Sequence, residues 1–155
     1  MKKVLFPFIL TVAFSINSNG FFNLKNNKIE QEKFLYVKNL DVKSFFKLFT
    51  EKYKKNSKFN SITLAGEFPE NWVKSTDVQY LMSILNSKKK CCNYMNVFSS
   101  TFSNEEAEVG GFAIIFLNSY IYHTKINLGL NTAPKTDAKS IQKINNWYQK
   151  KTKKP

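Results

Sequence analysis

Two adjacent cysteines, Cys91 and Cys92, and a single histidine, His123, are the residues of this chain whose types could do covalent chemistry. A thiol nucleophile needs a base within hydrogen-bond reach, and a Cys–His pair is the one such arrangement the inventory permits. The surrounding residues do not support it, because the glycines and small side chains that usually frame a catalytic cysteine are missing around Cys91. Glu67 and Glu70 could form a carboxylate pair of the kind glycosidases use, but nothing nearby suggests a sugar cleft. Zinc would need further Cys or His ligands, and the sequence has none. Gly110-Gly111 could open a phosphate-cradling turn. However, Glu105, Glu106 and Glu108 precede it and would repel the anion, and no Gly-Lys-Ser/Thr follows. The sequence therefore offers no catalytic, cofactor-binding or metal-ligating residue, and its chemistry reads as that of a binding protein.

The cysteines carry a second question. In an oxidising compartment an even count suggests a disulfide, yet sequence neighbours bridge only through a strained ring. A vicinal disulfide and two free thiols both stay open.

An address is legible at the start. Lys2-Lys3 precede an apolar run from Val4 to Ile16 that is followed by small residues, the pattern of a secretory signal peptide. Cleavage is expected after Ser15 or after Gly20, and the run falls short of the roughly 20 apolar residues of a spanning helix. The expected organisation is a signal peptide over 1–20 and one exported domain over 21–155. The early part of that domain is expected to be poorly ordered, with a lysine-rich C-terminal tail and no stable membrane span after cleavage. Location is then periplasmic or secreted.

All 24 basic residues are lysines, against 11 acidic ones, giving a formal net charge of +13. Without arginine the chain lacks the planar fork that reads base edges and clamps phosphates, which argues against sequence-specific nucleic-acid recognition. The surplus charge still favours acidic partners or surfaces.

Apolar spacing points to helices. Asp41 reads as an N-cap, with Val42, Phe45, Phe46, Phe49 and Tyr53 at helical steps behind it. Thr76 and Gln79 read as a capping box before Val78, Leu81, Met82 and Leu85, and Lys88-Lys89-Lys90 closes that element. The central helix is expected from Glu105 to Tyr122, capped by Ser103 and Glu106, with Val109, Phe112, Ala113, Phe116 and Leu117 inward. Its two glycines imply close approach by another element, because each costs roughly 1 kcal/mol against alanine in a helix. A last helix starts near Asp137 with Ile141, Ile144, Trp147 and Tyr148 on one side. Residues 33–37 read as a strand or a helix edge, and 56–69, 91–102 and 124–135 as connectors. No alternation strong enough for a sheet stands out, so the fold class expected is all-α, a bundle of about four helices.

Asp77 to Ser87 resembles the first helix of a HEAT-type repeat, and Val109-Gly110-Gly111-Phe112-Ala113 to Leu117 is similar to its partner helix. More broadly, the pattern Trp72-Val73, Leu81, Ser99-Ser100, Val109-Gly110-Gly111, Tyr120 and Trp147 resembles small exported helical bacterial proteins, among them some type VI secretion amidase immunity proteins. That resemblance implies a non-enzymatic inhibitor or immunity-type protein acting by contact with another protein, such as an acidic-faced enzyme. Two further classes stand beside it: a lysine-driven binder of acidic polymers or membrane surfaces, and a small thiol or carboxylate hydrolase. Lys88, Lys89, Lys90, Tyr94 and His123 are the candidate partner-binding residues.

Overall fold

The computed structural model describes residues 35–153, so the expected signal peptide and the segment up to residue 34 lie outside the described residues. Among the described residues four α-helices form near the places the spacing indicates, the central one starting four residues later than expected. Helix α1 (Val42–Glu51) starts at Asp41, whose carboxylate accepts the Ser44 N–H at 2.7 Å. Helix α2 (Val78–Ile84) follows a 3-10 turn at Ser75–Asp77. Helices α3 (Val109–Tyr122) and α4 (Ala138–Thr152) complete the set, and the N-cap of α4 is Asp137, accepting the Ser140 N–H at 2.7 Å.

The all-α expectation is overturned. Among the described residues five short strands form two sheets, so the fold is mixed α/β and not a helical bundle. Strands β1 (Ser61–Leu64) and β3 (Asn93–Asn96) pair in parallel, and β3 pairs antiparallel with β5 (Asn131–Thr132). Strands β2 (Lys90–Cys91) and β4 (Ala107–Glu108) make a separate antiparallel ribbon. Segments expected to be connectors thus supply strands. Helices α2 and α3, the two that resemble a HEAT pair, do pack against each other, with β2, β3 and β4 between them in the chain.

Two expected capping boxes are replaced by other contacts. Residues 107–108 are strand, so α3 starts at Val109, and the Glu106 carboxylate instead accepts the Tyr53 hydroxyl. Before α2 it is Asp77, not Thr76 with Gln79, that accepts a backbone N–H, from Lys74 at 2.8 Å.

One aromatic core joins these layers. Phe45 stacks on Phe49 with ring centroids 3.9 Å apart and meets Phe112 and Phe116 edge-on at 5.2 and 5.0 Å. Edge-on and offset packing is what the ring quadrupoles favour. Trp72 closes the cluster 5.0 Å from Phe116, and its indole N–H donates to the Leu40 carbonyl at 2.7 Å, satisfying the one polar atom the ring buries.

The glycine pair of α3 is where packing is tightest. A Cβ on Gly110 would lie 2.5 Å from the Leu85 carbonyl oxygen, and one on Gly111 would lie 2.5 Å from Pro134. The close approach lets the helix's first N–H groups find partners outside it. Val109 donates to the Lys89 carbonyl at 3.0 Å and Gly110 to the Ser87 carbonyl at 2.8 Å, which satisfies donors a helix start leaves free.

Candidate functional site: a lysine-lined cleft between α1 and α2

That docking of 87–89 onto α3 also fixes where Lys89 stands. It borders a cleft of about 260 Å³ with Lys43 and Lys47 of α1, over a floor that includes Phe46, Tyr80 and Ile84. Lys43 and Lys47 are four residues apart, so helical geometry stacks them on one face. Both are exposed, as is Lys89. Among the described residues, no carboxylate lines the cleft. Tyr80 meets Phe46 edge-on at 5.9 Å, and the Lys43 ammonium lies 5.9 Å from the Tyr80 ring centre. Partial burial raises the Tyr80 phenol above its ordinary pKa, so it stays a neutral hydroxyl.

Size narrows what such a site can take. Sites for small molecules and cofactors usually enclose about 300–1,000 Å³, more than this cleft offers. A cleft of this size has room for a few side chains. Three ammonium groups around an aromatic and aliphatic floor suit an acidic side chain with an apolar neighbour.

The sequence candidates scatter around this cleft. Lys88 is exposed beside Lys89. Lys90 is half-buried in β2 and already paired, its Nζ 3.0 Å from the Glu108 carboxylate. Tyr94 is buried at 3% exposure because it belongs to the central strand β3, and its hydroxyl accepts from Asn96 at 3.1 Å. It is no exposed contact. His123 is exposed at the far end of α3, where a left-handed backbone (φ 52°) stops the helix and its own N–H donates to the Ser119 carbonyl. Its capping is therefore done by backbone. A separate cleft of about 430 Å³ there is bordered by His123, Lys74, Lys125 and Glu70. Lys43 and Lys47 were missed, although their spacing on the polar side of a phenylalanine-striped helix was readable.

The cysteines and the histidine do not meet. Cys91 pairs with Ala107, just before α3, while His123 ends that helix. At about 1.5 Å per residue the helix between them spans roughly 20 Å. Cys91 and Cys92 are free, buried thiols, with burial as the main cause pushing Cys91 up to about 12 and Cys92 up to about 11. A thiol so raised is protonated and a poor nucleophile. Glu67, of the carboxylate pair considered for sugar chemistry, is ion-paired with Lys125, which holds its carboxyl below the ordinary range.

Comparison with protein-family models, curated proteins and solved structures gives no match to this chain.

Proposed function

We propose that the chain is an exported, non-enzymatic binding protein that docks an acidic segment of another protein in the cleft between α1 and α2. An inhibitor or immunity-type role, in the periplasm or outside the cell, is the setting this reading implies. The observation that carries it is the convergence of Lys43, Lys47 and Lys89 on a concavity without a carboxylate among the described residues. Charge of one sign in a partly desolvated cleft steers association and fixes orientation. Tyr80 and Ile84, both half-buried over the buried Phe46 ring, add the apolar contact that lets such an interface survive salt.

The test is calorimetric titration with a short Glu- and Leu-rich peptide, comparing the wild type with a Lys43→Ala, Lys47→Ala, Lys89→Ala variant. A control removes three exposed lysines of α4, Lys139, Lys143 and Lys150. Expected is saturable binding that persists at physiological salt and weakens at least about tenfold in the cleft variant alone. Equal losses in both variants would mean that charge acts without a site, and the reading would fall.

A further inference from the structure

Apart from the residues that line the cleft, a group of large apolar side chains stands in solvent. Phe98 is 82% exposed, Phe102 70%, Leu130 57% and Phe59 49%. Single exposed hydrophobes are ordinary, whereas a contiguous group marks an interaction surface. These belong together. The Asn131 amide donates to Ser99 Oγ at 2.7 Å, to the Thr101 hydroxyl at 3.0 Å and to the Thr101 carbonyl at 3.2 Å. Each of those three residues is next in sequence to one of the exposed side chains: Leu130 beside Asn131, Phe98 beside Ser99, Phe102 beside Thr101. Phe59 joins through its ring, 5.8 Å from that of Phe102. The group is held in place from behind as well, because the Asn93 amide donates to the carbonyls of Ser103 and Glu105 at 3.2 and 3.1 Å.

The margin of this group beside Phe59 is mainly cationic, with Glu51 and Glu105 the exposed carboxylates nearest in sequence. The turn that leads into Phe59 carries Lys52, Lys54, Lys55 and Lys58, all exposed, and the Lys58 ammonium lies 5.7 Å from the Phe59 ring centre. The Asn60 side chain anchors the turn, accepting the Lys54 N–H at 2.8 Å and donating to the Lys54 carbonyl at 2.9 Å. Pre-ordered phenylalanines flanked by lysines match the two layers of a lipid surface, with rings entering the acyl boundary and ammonium groups meeting phosphates.

We infer that this face docks the protein peripherally on an anionic lipid bilayer through Phe98, Phe102, Phe59 and Leu130, with Lys52, Lys54, Lys55 and Lys58 at the headgroups. No helix among the described residues is long and apolar enough to cross a membrane.

The test is co-sedimentation of the exported chain after signal cleavage, residues 21–155, with vesicles of phosphatidylcholine, with and without phosphatidylglycerol. The variants are Phe98→Ser with Phe102→Ser, and Lys52, Lys54, Lys55 and Lys58→Gln. A third, Phe98→Trp, reports on one position: its emission should shift to the blue and be quenched by brominated lipid, beyond what the wild-type tryptophans show. Expected is preference for the anionic vesicles, lost by about tenfold or more in the double phenylalanine variant and severalfold in the lysine variant. All three alter exposed side chains, so circular dichroism should match the wild type. Equal sedimentation of the phenylalanine variant, or a Phe98→Trp protein whose emission vesicles leave unchanged, overturns the proposal. So does a soluble dimer that the phenylalanine variant abolishes while the wild type ignores vesicles, because a second copy would then be the occupant.

Discussion

Glu108 holds Thr136 by both ends, its carboxylate accepting the Thr136 N–H at 2.9 Å and the hydroxyl at 2.7 Å. Lys90 donates to the other oxygen at 3.0 Å. One nearly buried side chain thereby ties the β2–β4 ribbon to the approach of α4. The Thr136 bonds, then Lys90, lower the Glu108 pKa from 4.5 to about 2. A carboxylate depressed on folding stabilises fully above its unfolded pKa, and that stability is lost as pH falls through the folded value. Urea midpoints should therefore decline between about pH 4.5 and pH 2 more steeply in the wild type than in Glu108→Gln. Parallel declines would remove the carboxylate from the explanation. At pH 7, Glu108→Ala should cost about 2 kcal/mol, since it leaves the Thr136 donors unpaired.

Alanine normally strengthens a helix over glycine by roughly 1 kcal/mol. At Gly110 and Gly111 the sign should reverse. The added methyl meets backbone atoms of Leu85 and Pro134 that cannot swing aside. Overpacking of this kind typically costs about 1–3 kcal/mol, so each variant should unfold at lower urea than the wild type. Gly110→Ala should also weaken acidic-peptide binding, because displacing 87–89 moves Lys89.

Both thiols should be silent in the native protein and countable once it unfolds. At pH 8 a disulfide reagent should label Cys91 and Cys92 slowly, at the rate of local opening, and rapidly in denaturant. Burial and the raised pKa values both act in that direction. Prompt native labelling would show that the thiols are accessible.

Trp72→Phe keeps an aromatic ring in the cluster but removes the donor that satisfies the Leu40 carbonyl. The expected loss is about 1–2 kcal/mol, most of it from the stranded carbonyl. Trp72→Tyr should recover none of it unless the hydroxyl reaches the same oxygen, and the Leu40 carbonyl stretch in an isotope-edited infrared spectrum would tell the two cases apart.

How much of this was legible beforehand follows from element length. Helices α1 and α4 each announce themselves by an aspartate N-cap and an apolar stripe, and both start where Asp41 and Asp137 place them. The strands are two to four residues long, too short for alternation to show. Strand β3 reads Asn-Tyr-Met-Asn with its first two residues buried and its last two half-buried, a burial order with no period of two. Its asparagines are poor strand formers on average, kept here by side-chain bonds that only the folded chain reveals. The glycine pair carried a readable demand for close approach, while the identity of the approaching backbone depended on β2 and β4. For the same reason Lys89 was visible as a candidate, but its company with Lys43 and Lys47 was not.

The central strand has a further implication for how the protein is made. Strand β3 must wait for β5, near residue 131, before both its edges are paired. Phe45, Phe49 and Phe68 wait as well, because the rings of α3 that they meet, Phe112 and Phe116, emerge only after two thirds of the chain. Over that interval the nascent protein is a ready client for any chaperone that grips aromatic segments, and a poor substrate for premature closure.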